Sequence, residues 1–164
     1  MIIDNPKELC YSNYIGFSRA LCFDYGDQRI GVAISDINWL IASPFKILPS
    51  HGIFNDVFNI FKEYEVKFIV IGAPKTLSGI AAGKQFEKVK KFSLKLEQLI
   101  KEKNFDIKII YWDERFSSVA VSHYFDEAEL SLSKRKNNVD KVAASFILQG
   151  FLDFVRFKKC KSIL

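Results

Sequence analysis

Apolar and polar positions first fall into a regular pattern at Ala20. The run ALCFDYG (20–26) predicts a strand closed by a glycine turn, and RIGVAIS (29–35) follows at hairpin distance. IASPFKIL (41–48) predicts a third strand. Pro44 marks it as an edge or bulged strand, because proline cannot donate to a central ladder. Residues 53–64 carry Phe54, Val57, Phe58 and Phe61 on one helical face. KFIVIGAP (67–74) is an uninterrupted apolar run ended by Gly and Pro, as expected of a strand buried on both faces. A long helix over about 82–102 places Phe86, Val89, Ser93, Leu96 and Ile100 in one stripe. DIKIIYWDER (106–115) is another buried strand with a charged end. A short helix (about 117–125) leads into a polar loop, SLSKRKNN (131–138). The last helix, 139–154, sets Val139, Ala143, Phe146, Ile147, Gly150 and Phe154 in one stripe.

The order β-β-β-α-β-α-β-α-α predicts an α/β fold. Three antiparallel meander strands followed by strand–helix units make a mixed five-stranded sheet with helices on both faces. Residues 20–154 form the domain, 1–19 an extension without a clean period, and 155–164 a basic tail. A length of 164 residues suits one domain. With 49% hydrophobic and 26% charged residues, the composition excludes a disordered chain, a collagen-like chain and a small disulfide scaffold.

A net charge of +5 is compatible with a polyanionic partner without demanding one. Cys10, Cys22 and Cys160 have neither disulfide nor zinc spacing, so a reducing compartment is expected. No run of about 18 apolar residues spans a membrane. The first residues carry acids where a signal peptide needs a basic start. The expectation is a soluble, cytoplasmic protein.

Ligands of open α/β sheets gather at the carboxyl ends of strands, so acids there carry the most chemical information. Asp24 ends the first strand, while Asp113 and Glu114 end the last. Successive side chains alternate across a strand, so only one of Asp113 and Glu114 readily meets Asp24, and periodicity does not say which. Asp140 projects between Ile147 and Phe151, where a carboxylate is costly unless a cation or several donors satisfy it. The alternative is an acid in the first helical turn, engaging the N-terminal amides. Together these acids make a hard, oxygen-only set suited to one or two Mg²⁺ or Mn²⁺ ions. Such ions act on phosphates by activating an attacking water and stabilising the leaving oxygen. Lys134, Arg135 and Lys136 stand just before the Asp140 helix and could hold a phosphate backbone, or could be a solvated face. Arg115 and Arg29 could clamp a phosphate or neutralise a neighbouring acid. His51 and His123 read as surface or structural residues.

Four motifs occur in order: FDYGDQRIGVAISD (23–36), IGAP with a downstream Gly (71–79), YWDERFSS (111–118) and KRKNNVDKVAASFILQGFLD (134–153). Over about residues 20 to 154 the chain resembles the YqgF/RuvX-like family of proposed pre-16S rRNA nucleases, earlier described as Holliday-junction resolvases. The resemblance implies an RNase H-like fold, in agreement with the element order. It implies that Asp24, Asp113, Glu114 and Asp140 are the catalytic, metal-holding acids. It also implies cleavage of precursor 16S rRNA at its 5′ end, within a ribosomal particle or free of it. The chain departs from the family pattern at Ser78-Gly79, where relatives commonly carry an Asp-Gly pair, and in its N-terminal extension.

Two other functions fit the same residues. A resolvase would cut branched DNA as a symmetric homodimer. A catalytically silent nucleic-acid-binding module would show no metal-dependent gain in stability, and the presence of every acid counts against it. An actin-like or sugar-kinase ATPase needs a second, duplicated half for which 164 residues leave no room.

Overall fold

The computed structural model describes residues 2–3, 11, 13–73, 83–113 and 132–161. Its strands are β1 (Ile2–Ile3), β2 (Arg19–Tyr25), β3 (Arg29–Ser35), β4 (Ala42–Pro49), β5 (Val66–Ala73) and β6 (Lys108–Asp113). Its helices are α1 (Phe54–Glu63), α2 (Gly83–Glu102) and α3 (Leu132–Lys161). The strands form one mixed sheet in the order β1-β6-β5-β2-β3-β4. The meander β2-β3-β4 is antiparallel, whereas β2, β5 and β6 run parallel to one another.

The sheet has six strands rather than the expected five. Ile2 and Ile3 pair in parallel with Ile109 and Ile110 at the far edge. Two residues are too few to show a period, so only their β6 partners reveal the strand. Tyr11, from the same N-terminal stretch, is buried against Trp39, Phe68 and Phe151. β4 is the other edge, and its ladder shifts register around Pro44, which therefore sits at an edge and beside a bulge together.

α1 and α2 cover one face of the sheet and α3 the other. Side chains alternate along each strand, and the two faces differ in size. Towards α1 and α2 point Leu21, Phe23, Ile30, Val32, Ile69 and Ile71. Towards α3 point the small residues Ala20, Cys22 and Ala33 of β2 and β3, with the larger Phe68 and Val70 on β5. Small residues there let α3 settle onto the sheet, where Ala144, Ile147, Leu148, Phe151 and Leu152 are buried.

The last helix differs from the expectation in extent and in rotation. Residues 132–138, read as a polar loop, form its first turns, and the helix continues to Lys161. Leu, Lys and Arg are good helix formers, so a charged stretch there does not break it. The buried stripe also lies about one residue further round than expected. Ala143 and Phe146 are half-buried and Gly150 is exposed, while Ala144, Leu148 and Phe151 are buried. The expected short helix (117–125) lies outside the described residues. Among the described residues no helix is long and apolar enough to cross a membrane.

Candidate functional site

The parallel strands β2, β5 and β6 end at the same edge of the sheet. Phe23 pairs with Ile71, which puts Gly72 beside Asp24, and Ala73 pairs with Asp113 at the end of β6. With strands about 4.8 Å apart, the backbones of β2 and β6 lie roughly 10 Å from each other. Asp24 follows Ala20 and Cys22 in the alternation and so belongs to the α3 face.

Asp24 is directly opposite Gly31 on β3. A Cβ on Gly31 would overlap the backbone carbonyl of Asp140 and touch the amide nitrogen of Lys141. α3 therefore crosses β3 in backbone contact, and this crossing brings Asp140 to Asp24. Asp140 stands in line with Ala144, Ile147 and Phe151 at i, i+4, i+7 and i+11, at the end of the buried stripe nearest the strand termini. It lies well inside a helix that begins at Leu132 and has no acid in its first turn. The alternative reading, an acid serving the helix N-terminus, is thereby removed.

Burial, and next the charge of Asp140, push the Asp24 carboxyl up to about 6. Both effects oppose ionisation, and a divalent cation between the two carboxylates would reverse both. The donor set, one carboxylate at a strand end and one on α3, fits a hard cation such as Mg²⁺ or Mn²⁺. Among the described residues no group of three His, Cys, Asp or Glu gathers. The described part of the site is this pair.

Asp113 closes β6 in the backbone, one position past the level of Asp24. Glu114 and Arg115, with the loop carrying Ser78-Gly79, lie outside the described residues. Lys134, Arg135 and Lys136 belong to the first turns of α3, not to a loop. Arg29 opens β3, exposed and without an ion pair among the described residues. His51 is exposed beside Ser50, and His123 is not among the described residues.

Gly31 is the position that sequence reasoning passed over. Its signal was present: a glycine inside a strand pattern marks a close backbone approach. Asp36 of the first motif has a structural task. Its carboxylate accepts the amides of Asn38, Leu40 and Ile41 and closes the β3–β4 turn.

A family model described as "RuvX: Holliday junction resolvase" matches residues 18–154. A protein of Caldicellulosiruptor saccharolyticus, named "Putative pre-16S rRNA nuclease", is 42% identical over 139 residues, covering 84% of this chain and 98% of its own. A Clostridium botulinum protein (strain Hall) of the same name is 45% identical over 138 residues, covering 82% and 96%. Among solved structures, the yeast mitochondrial Holliday junction resolvase Ydc2 aligns with a TM-score of 0.52 at 14% identity, covering 93% of this chain and 87% of that one. Thermus thermophilus RuvC in complex with a Holliday junction substrate aligns with a TM-score of 0.51 at 10% identity, covering 85% and 96%. At such identities the likeness concerns the fold, which is RNase H-like.

Proposed function

This chain belongs to the RuvX family of nucleases, and we propose on that premise that it hydrolyses a phosphodiester bond near the 5′ end of precursor 16S rRNA, with Asp24 and Asp140 holding a divalent cation. One observation carries the reading: Asp140 stands two turns inside a helix, half-buried in line with its buried stripe, beside a second carboxylate whose ionisation the protein itself opposes. Folding alone gives no reason to set two acids together in that place.

Mg²⁺ or Mn²⁺ at this site would polarise the scissile phosphate and stabilise charge on the leaving oxygen. The chain's own residues do the rest. Asp24 and Asp140 would hold the cation beside the strand ends. Gly31 lets the backbone of α3 seat directly on β3, which sets Asp140 beside Asp24. Of the two acids that follow, the reading favours Glu114, two positions on from Trp112, whose ring packs on Phe151 and Phe154 of α3. Lys134, Arg135, Lys136, Arg115 and Arg29 are assigned to backbone phosphates, which they would hold without reading base sequence.

Cleavage of a precursor 16S rRNA 5′ segment and of a four-way DNA junction, side by side, tests this. Each is run with Mg²⁺, Mn²⁺ or chelator, in wild type and Asp24→Asn. Metal-dependent RNA cleavage lost in Asp24→Asn is the expected result. Cleavage of the junction alone would replace the RNA substrate with branched DNA, and cleavage that survives Asp24→Asn would overturn the site.

A further inference from the structure

The face of the sheet opposite α3 carries a groove that the paired carboxylates do not use. It has a volume of about 190 Å³ and is lined by Tyr25, Phe54, Lys88, Lys91 and Lys95. Its basic wall is a stripe on α2. Lys84, Lys88, Lys91 and Lys95 follow one another at spacings of four, three and four residues, and all are exposed. Its other wall is aromatic. The ring of Tyr25 is held by Phe92, with centroids 5.2 Å apart, and Phe54 stands on the same ring of Phe92 at 6.3 Å.

The groove begins where the candidate active site begins. Tyr25 is the residue after Asp24, and its backbone carbonyl accepts a hydrogen bond from Gln85 Nε2 at 3.2 Å. Lys88 Nζ donates to both carboxylate oxygens of Asp27, each at 2.7 Å, which fastens α2 to the turn after β2. That ion pair occupies Lys88. Lys91 and Lys95 have no ion-pair partner among the described residues. From Lys88 to Lys95 the helix rises about 10 Å away from the strand ends.

We propose that this groove is a track for an unpaired flank of the nucleic-acid substrate, with Lys91 and Lys95 on consecutive backbone phosphates and Tyr25 stacking on a base. The proposal takes its substrate class from the nuclease reading above. Cations beside partly exposed aromatic rings are what single strands bind, and neither demands a particular sequence. The strand would pass over the β2–β3 turn, with the scissile bond at the carboxylates on one face and the flank on α2 on the other.

The test measures binding of a labelled single-stranded RNA of about 12 nucleotides by fluorescence anisotropy across a salt series. Asp24→Asn is the parent, so that the RNA stays intact. Lys91→Glu with Lys95→Glu should weaken binding roughly tenfold and lower the slope of log affinity against log salt by about 1.4, or 0.7 for each lost phosphate contact. Tyr25→Leu should weaken binding about fivefold and leave the slope unchanged. Lys62→Glu with Lys103→Glu makes the same charge change beside Phe58, away from the groove, and should have a much smaller effect. Circular dichroism and Tm of each variant check that it folds.

An unchanged slope in the Lys91/Lys95 variant overturns the track, whether or not wild type cleaves RNA. Equal losses in both charge variants overturn it as well, since that is general attraction. RNA binding that survives while capture of a polyglutamate peptide is lost would assign the groove to an acidic protein instead. If the slopes change as expected and wild type cleaves neither RNA nor junction, the track stands and the nuclease reading falls.

Discussion

The carbonyl oxygen of Asp140 occupies the place where a side chain on Gly31 would begin. Gly31 is the cross-strand partner of Asp24, and directly opposed residues of an antiparallel pair share a face of the sheet. A missing Cβ on β3 thus determines where α3 touches down, and so how near the carboxylate of Asp140 comes to that of Asp24. Fold and site meet in this one contact.

Gly31→Ala should therefore damage both. The atoms it meets belong to the Asp140 and Lys141 backbone, so no side chain can swing aside and the helix itself must move. Overpacking of this kind costs about 1–3 kcal/mol. The expected result is a lower urea midpoint at unchanged m, together with loss of RNA cleavage. Because α3 carries Asp140 away, the Asp24 carboxyl should also titrate below its present value of about 6. An alanine variant with wild-type stability and titration would show that the contact is not made.

The same substitution at Gly150 should have the opposite sign. Gly150 is exposed on α3, and a Cβ there meets only the indole nitrogen of Trp112, at 3.4 Å. Alanine in a helix interior is favoured over glycine by roughly 0.8–1 kcal/mol. Gly150→Ala should raise stability by about 0.5 kcal/mol or more after a small adjustment of the indole. Urea unfolding measures it, and a loss of stability would mean that Trp112 cannot give way.

Asp24 should destabilise the metal-free protein at neutral pH. Its carboxyl rises from 3.8 to about 6 on folding. Between those values the native state holds more protons than the unfolded one, so stability is full below about pH 4 and declines as pH rises through 6. The cost at pH 7 is on the order of 2–3 kcal/mol. Asp24→Asn should recover most of it at pH 7 and little at pH 4, as read by urea unfolding in chelator at the two pH values. Equal effects at both would assign the gain to packing rather than to charge.

Much of this was legible in the chain, and what was not has physical causes. Strand β3 matches RIGVAIS residue for residue, and the both-face burial of β5 follows from its unbroken apolar run. Strand β1 was hidden because two isoleucines have no period until β6 pairs with them. The start of α3 was hidden because SLSKRKNN looks like a solvated loop, although its lysines and arginine suit a helix equally well. Asp140 shows how such an error spreads. With the helix begun at 139, an N-terminal role for this acid was open, whereas a start at Leu132 closes it. Which strand-end acid meets Asp24 stayed undecided because alternation gives two faces and no sign. The rings of β6 mark its two faces, with Tyr111 against Phe86 and Trp112 against Phe151, while Glu114 lies outside the described residues.

Cation and proton should compete for Asp24. A carboxylate must be ionised to bind Mg²⁺ or Mn²⁺, and this one is still half protonated at about pH 6. Affinity measured by thermal shift should therefore level off above pH 7 and fall roughly tenfold per unit well below 6, with one proton displaced per ion. At a hundred times Kd the ion should stabilise wild type by about 2.7 kcal/mol. Asp140→Asn should weaken the ion while lowering the Asp24 titration, since the charge that raises it has gone. Asp24→Asn should abolish both the stabilisation and its pH dependence. Isothermal titration of Mn²⁺ at pH 5, 6, 7 and 8, in buffers of different ionisation enthalpy, counts the displaced proton directly. Binding that ignores pH across this range would place the ion on other groups and leave Asp24 without its proposed role.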